Sequence, residues 1–139
     1  MSNRYGLQNR TNPCENCALC CMDTEMPLSN KDIDLILNKS GSDLRREDFL
    51  VMNANGVPQL KNIDGHCFFL NPKTRMCQIY DFRPSGCCFY PIIYDLEKQK
   101  CVYDNDCPRV NLFRLSNKGF KNLCLKIKLF LKKDLKLPI

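Results

Sequence analysis

Four cysteines fall within eight residues at Cys14-Glu15-Asn16-Cys17-Ala18-Leu19-Cys20-Cys21. Thiols this close together are poor halves for four separate disulfides, whereas gaps of two residues let several sulfurs turn toward one ion or cluster. We interpret the stretch as the first half of a metal site. The second half is expected far along the chain, where further cysteines follow: Cys67, Cys77, Cys87, Cys88, Cys101 and Cys107.

The composition favours a single domain, 1–139, that binds metal in a reducing compartment. The chain has eleven cysteines, an odd number, and residues 1–6 lead into no apolar signal-peptide core. We therefore predict a cytoplasmic protein rather than a secreted disulfide scaffold. The longest apolar stretch, 123–131, is interrupted by Lys126 and Lys128. It falls short of the roughly 20 apolar residues that span a bilayer, so no transmembrane segment is expected.

Local patterns predict an α+β fold. Ser29 and Asp32 form a capping box that opens a helix, and Gly41 ends it. Phe120, Leu123 and Ile127 fall on one face of a basic C-terminal amphipathic helix. The predicted helices cover residues 30–39, 43–49 and 116–134.

The centre of the chain is predicted to be irregular, stapled by metal, with short antiparallel strands. Asn55-Gly56 and Asp64-Gly65 mark turns between short runs of strand-forming residues. Strands are expected at 57–60, 66–70 and 76–79, and a hairpin is expected to pair residues 89–95 with 100–104 across a turn at 96–99.

The spacing of the first four cysteines departs from the common metal motifs. A ferredoxin run needs its fourth cysteine three residues after the third, followed by proline, but Cys21 follows Cys20 directly. The radical S-adenosylmethionine spacing is absent, and no second two-residue gap completes a pair of zinc knuckles. The remaining ligands must therefore come singly from distant loops.

The chain resembles the YkgJ-type CxxCxxCC cysteine-cluster family of zinc- or iron-chelating domains. The resemblance is carried by the opening motif, Cys67, the segment Cys77-Gln78-Ile79-Tyr80-Asp81-Phe82-Arg83-Pro84-Ser85-Gly86-Cys87, and Asp106-Cys107-Pro108. It covers roughly 14–108 and implies a set of candidate metal- or cluster-binding residues: Cys14, Cys17, Cys20, Cys21, Cys67, Cys77, Cys87 and Cys107. Eight thiols exceed the needs of one tetrahedral ion or one four-iron cluster. Either two centres form, or some of these thiols support the site without binding metal.

Other residues near the motif are secondary candidates. Cys88 and His66 are weaker ligand candidates. His66 is equally well interpreted as a surface histidine in a turn that binds no metal. Cys124 is interpreted as core packing on the apolar face of the last helix. Arg83 either pairs with a carboxylate such as Asp81 and holds its loop, or donates hydrogen bonds toward cluster thiolates and raises the reduction potential.

The function that these features favour is binding of an iron–sulfur cluster, expected to be of the 4Fe-4S type, with a redox or accessory role. The adjacent pairs Cys20-Cys21 and Cys87-Cys88 can each aim at most one sulfur easily at the same centre, which favours a multi-atom cluster or two nearby centres. The alternative is a structural zinc module that mediates protein or nucleic-acid interaction. The resemblance also extends to the cysteine cluster of flagellin lysine methylases, which implies a component of a protein lysine methylation system as a third alternative.

No complete catalytic constellation is visible in the sequence. His66 is the only histidine, and no glycine-rich phosphate loop is present, so enzymatic activity is left open. Residues 109–139 contain nine Lys or Arg against the single Asp134, a net charge of +8 in a chain whose total is +6. An unknown protein partner is expected. Nucleic-acid or membrane binding by the basic helix is the weaker alternative to simple packing on its own domain.

Overall fold

The computed structural model describes residues 19–41 and 43–139, and its architecture is α+β, as predicted. Within these residues, four α-helices are separated by short strand pairs and turns. The helices are α1 Asn30–Ser40, α2 Arg46–Phe49, α3 Ser85–Phe89 and α4 Asn117–Leu129. Short 3-10 turns cover Leu19–Cys21, Tyr80–Phe82 and Val110–Phe113, and a π-helical turn, Phe130–Asp134, continues α4.

Helix α1 begins where the sequence predicts and ends at Ser40, one residue beyond the predicted 30–39. The Asp32 amide donates to Ser29 Oγ, and the Asp32 carboxylate accepts the Ser29 amide, both at 3.1 Å. Gly41 follows the helix with φ +93°, which favours glycine. Helix α2 is shorter than the predicted 43–49. Its start is fixed by Asp48, whose carboxylate accepts the Arg45 amide at 2.9 Å and so caps the helix at Arg46.

The strands form four separate antiparallel pairs. The predicted strand at 66–70 is divided between two partners, since residues 66–67 pair with 62–63 and residues 70–71 pair with 76–77. The predicted hairpin is present, with its first strand starting after Pro91. The strands are β1 Leu50–Met52, β2 Pro58–Leu60, β3 Asn62–Ile63, β4 His66–Cys67, β5 Leu70–Asn71, β6 Met76–Cys77, β7 Ile92–Asp95 and β8 Lys100–Tyr103.

Two groups of buried side chains hold these elements together. The first, called here the thiol-side core, lies beneath α1 and β1–β6 and consists of Leu28, Ile33, Ile36, Phe49, Leu60, Cys67, Phe69, Leu70 and Ile79. The second, called here the hairpin–helix core, lies between β7–β8 and α4 and consists of Phe89, Ile92, Cys101, Leu123, Ile127, Phe130 and Leu135.

The hairpin–helix core contains a disulfide between Cys101 in β8 and Cys124 in α4. Cys124 packs against this core, as the sequence analysis expects of an apolar helix face, but its bond to Cys101 was not predicted. Helix α4 is capped by Ser116, whose hydroxyl accepts the Gly119 amide at 3.1 Å. Together with the π-helical turn it accounts for the predicted helix at 116–134. Within the described residues, no helix is long and apolar enough to cross a membrane.

Helix α3 joins the two cores, although the sequence analysis did not predict it. At its start, Asp32 Oδ1 accepts both the Ser85 amide at 2.9 Å and the Ser85 hydroxyl at 2.8 Å. At its end, the Phe89 ring packs edge-on against Phe130, with ring centroids 5.6 Å apart. Asp32 is fully buried, so α1 fixes the position of α3 through an interior cap.

Candidate metal centre

The segment that follows Cys20 and Cys21 is held against the strands on either side of Cys67. The Asp23 amide donates to the Gly65 carbonyl at 2.8 Å. The Asn62 side chain pairs with the backbone of Thr24, accepting its amide at 3.1 Å and donating to its carbonyl at 2.9 Å. Met22 also forms an isolated bridge with His66. These hydrogen bonds hold the 3-10 turn that contains Cys20 and Cys21 close to strand β4.

Two more cysteines come from the short strand pairs. Cys67 is buried at the end of β4, and Cys77 is half-buried at the end of β6, opposite Leu70. The Gln78 amide donates to the Phe69 carbonyl at 2.8 Å, which fixes the backbone just beyond Cys77. Strands of two residues share few backbone hydrogen bonds. Hydrogen bonds outside the strands, such as that of Gln78, therefore help to fix the position of Cys77.

Helix α3 places Cys87 and Cys88 in different surroundings. The Cys88 thiol donates to the Arg83 carbonyl at 3.7 Å and is buried. Cys87 packs against the thiol-side core together with Cys21 and Cys77. Adjacent positions on a helix point about 100° apart, so the two thiols of this pair do not turn to the same neighbours.

The thiols of Cys20, Cys67, Cys77 and Cys87 are close enough to influence one another. Burial raises the pKa of Cys87 well above its usual value, and repulsion from Cys77, Cys20 and Cys67 raises it further. Burial likewise raises the pKa of Cys77 to about 12, with repulsion from Cys67 and Cys20 among the further causes. Four thiols from four separate segments therefore lie within electrostatic range of one another.

Cys21 joins this group through Cys20. A hydrogen bond with the Cys21 thiol is the main cause of the raised pKa of Cys20, followed by burial of its sulfur and repulsion from Cys21. Burial also raises the pKa of Cys67, opposed by a backbone hydrogen bond from Phe69. In each of the four thiols that influence one another, the net shift of the pKa is upward, which favours the protonated form.

Arg83 is the cation next to this group. It is buried, its Nε donates to the Tyr80 carbonyl at 2.8 Å, and its guanidinium stacks on the Tyr80 ring at 3.9 Å. Its positive charge opposes the rise in the pKa of Cys20 and of Cys77 that burial and the neighbouring thiols cause. Arg83 thus holds its loop through Tyr80, where the sequence analysis considered a carboxylate such as Asp81, and its charge favours the ionised form of the nearby thiols.

Cys107 is connected to Tyr90 through Asp104. The Tyr90 hydroxyl donates to Asp104 Oδ2 at 2.6 Å, and the Cys107 amide donates to the Asp104 carbonyl at 3.2 Å. Burial is the main cause that raises the pKa of Tyr90, followed by Asp104, while Cys20 and Cys107 add smaller contributions. Tyr90 thus lies within electrostatic range of both cysteines.

The remaining predicted site residues are placed as follows. The Nδ1 atom of His66 lies 3.0 Å from the carbonyl oxygen of Cys67, so one ring nitrogen already has a backbone partner. Cys14 and Cys17 lie outside the described residues. Between residues 19 and 139, leaving out Ser42, no group of three or more His, Cys, Asp or Glu side chains is arranged to hold a single metal ion.

The donor chemistry of the site fits a soft metal. Thiolates are the ligands preferred by zinc and by iron–sulfur clusters, and burial beside a cation is the setting in which several negative sulfurs can be tolerated. The described thiols that could hold such a group are Cys20, Cys21, Cys67, Cys77, Cys87 and Cys107.

The sequence analysis missed the supporting roles of Asp32 at helix α3 and of Tyr90 beside the site. The capping box identified Asp32 as part of α1, but nothing in the local sequence connects it to Ser85, 53 residues away. The Cys101–Cys124 disulfide also spans distant elements. Such pairings depend on the tertiary fold and leave no signal in residue spacing.

Comparison with known proteins identifies one family. Its sequence profile matches residues 13–108, which is more than half of the chain and contains the opening cysteine motif and helix α3. No curated protein and no solved structure matches the chain. The chain belongs to the CxxCxxCC family, described as a putative zinc- or iron-chelating domain.

Proposed function

We propose that this metal-chelating protein carries an iron–sulfur cluster with a redox or accessory role. The observation that supports this most is that Cys20, Cys67, Cys77 and Cys87, which come from four segments, are near enough to affect one another's pKa. A cluster of several irons and sulfides spreads its protein ligands over a larger volume than a single ion does. When bound, such a cluster supplies one-electron chemistry.

Arg83 supports a redox role. A buried guanidinium beside thiolates stabilises the more negative, reduced form of a cluster and so raises its reduction potential. Arg83→Gln is then expected to lower the potential, whereas Arg83→Lys, which keeps the charge, shifts it less. In a purely structural zinc site, the same substitutions would change metal affinity without any redox readout.

The experiment that tests this proposal is the metal and acid-labile sulfide content of protein purified without oxygen, with an ultraviolet–visible spectrum. Iron with an equal amount of sulfide and a broad visible absorption is expected. Cys77→Ala is expected to lower the iron content, and Cys88→Ala, whose thiol faces the Arg83 carbonyl, serves as the matched control. Zinc without sulfide would contradict the proposal.

The second candidate is a structural zinc site. It is favoured by the number of coupled thiols, since four thiolates complete a tetrahedral Zn²⁺ shell with no position left for substrate. In that case the role of the site is to fold the surrounding loops. Stoichiometric zinc that survives anaerobic purification, in protein with no visible absorption, would support this candidate.

A further inference from the structure

An open groove of about 710 Å³ adjoins the candidate metal centre. Cys20 lines one end of it. Its lining comes from the segment that follows Cys21, from strand β7 and the hairpin turn, and from the aromatic residues Phe89 and Phe130. Apart from Cys20, Tyr90 and Asp104, the residues that line this groove have no part in the metal-binding roles discussed above.

The groove collects exposed apolar side chains. Ten large apolar side chains in the described part of the chain are exposed, and four of them line the groove: Leu19, Met22, Ile93 and Leu96. Leu96, at the hairpin turn, is 69 % exposed. An apolar patch concentrated at one concave site is typical of a surface that binds another molecule.

The rim of the groove is acidic. Asp23, Glu25, Asp104 and Asp106 line it, and none of the described residues that line it is Lys, Arg or His. This contrasts with the whole chain, whose net charge is +6. A negative rim around an apolar floor is complementary to a ligand that carries positive charges beside apolar side chains.

We propose that this groove is the docking site for a basic amphipathic segment of a partner protein. Apolar side chains of that segment would enter the groove, and its Lys or Arg residues would lie on the acidic rim, as in other helix-in-groove complexes. The Cys20 end would bring the partner next to the metal centre. The inference concerns the partner and holds for either metal.

The probe for the test is a synthetic 18-residue amphipathic Leu/Lys peptide, titrated into the metal-loaded full chain and followed by fluorescence anisotropy. Saturable binding that weakens with added salt is expected. Two control peptides separate the contributions: a Leu/Glu peptide with the same apolar pattern, and a Leu/Lys peptide of the same composition in scrambled order. Each is expected to bind at least about tenfold more weakly. Equal binding of all three peptides would overturn the proposal.

Matched variants locate the binding. Glu25→Lys/Leu96→Ser reverses one rim charge and removes one exposed apolar side chain of the groove, and should weaken binding about tenfold. The control, Glu47→Lys/Met52→Ser, makes the same changes at exposed positions outside the groove and should leave affinity within about twofold of the parent protein. Equal losses in both variants would contradict docking in the groove.

Two further readouts keep the outcomes distinct. Metal content is expected to be the same in both variants, so a failure of docking is separable from a failure of the proposed function. Sedimentation of the full chain tests the competing occupant, a second copy that inserts its own basic α4. A concentration-dependent dimer that dissociates on Glu25→Lys/Leu96→Ser would overturn the proposal in favour of self-association.

Discussion

The hairpin–helix core and the thiol-side core are stabilised in different ways. The first combines a hairpin of four-residue strands, the 13-residue helix α4 and a disulfide. The second lies beneath the 11-residue helix α1, is otherwise surrounded by strands of two or three residues and by turns, and contains or contacts Cys21, Cys67, Cys77 and Cys87. Where regular secondary structure is scarce, metal binding can supply the missing folding free energy. The comparison thus predicts that only one of the two cores depends on metal.

The largest expected effect follows metal removal. Structural metal sites contribute on the order of 10 kcal/mol to folding in small domains. Chelation should therefore abolish cooperative unfolding of the thiol-side core and leave a smaller transition from the hairpin–helix core. Differential scanning calorimetry of loaded and chelated protein measures both. An unchanged thermal unfolding curve after complete metal removal would contradict the claim that the thiol-side core depends on metal.

The next effect concerns the cap that joins α1 to α3. Asp32→Ala leaves the buried amides of Ser29 and Ser85 and the Ser85 hydroxyl without their acceptor. We expect a loss of about 3–5 kcal/mol in the free energy of unfolding, measured by urea titration of metal-loaded protein.

The control for this substitution lies on the same helix. Asp34→Ala changes an exposed carboxylate of α1, and is expected to alter stability by no more than about 0.5 kcal/mol. If the two variants are equally stable, Asp32 does not hold α3 in place.

The disulfide gives a third, intermediate effect that is confined to the hairpin–helix core. Its cysteines are 23 residues apart, and closing a loop of this length stabilises a protein by about 3 kcal/mol in the chain-entropy model. Cys101→Ala/Cys124→Ala should lower stability by about that amount while leaving metal content unchanged. A parallel loss of metal would show that the two cores are not independent.

The smallest expected effect tests how α3 packs against the segment that follows Cys21. A Cβ atom at Gly86 would collide with the Met26 sulfur. Gly86→Ala should thus destabilise the protein by about 1 kcal/mol, although alanine is the better helix former.

A double-mutant cycle isolates this contact. In a Met26→Ala background the collision is absent, so Gly86→Ala should become neutral or stabilising. Equal effects of Gly86→Ala in both backgrounds, by urea titration, would place its cost elsewhere.

Local signals predicted those parts of the fold whose determinants lie close together in sequence. The Ser29–Asp32 capping box defines α1, the alternating residues on either side of 96–99 define the hairpin, and the period of α4 defines the last helix. Helix α3 was missed because it has five residues, includes Gly86, and takes its cap from Asp32 in another helix. The strand predicted at 66–70 was wrong in one respect, since its two ends pair with different partners.

The candidate site shows the same division. Cysteine spacing and the family resemblance indicated which thiols to consider, including Cys20, Cys67, Cys77 and Cys87. They could not indicate that Cys88 turns to the Arg83 carbonyl, because the orientation of adjacent side chains depends on the helix that holds them. Nor could they indicate the Tyr90–Asp104 hydrogen bond beside the site. Those features depend on contacts between segments that are distant in the chain.

The most direct test of the central claim is amide hydrogen exchange of the full chain, with and without metal. After chelation, amides bonded within the thiol-side core, such as those of Phe68 and Gln78, should lose their protection. Amides of the β7–β8 hairpin, such as that of Val102, should keep theirs. Equal protection of both sets in the metal-free protein would contradict the account, because the thiol-side core would then be stable without metal.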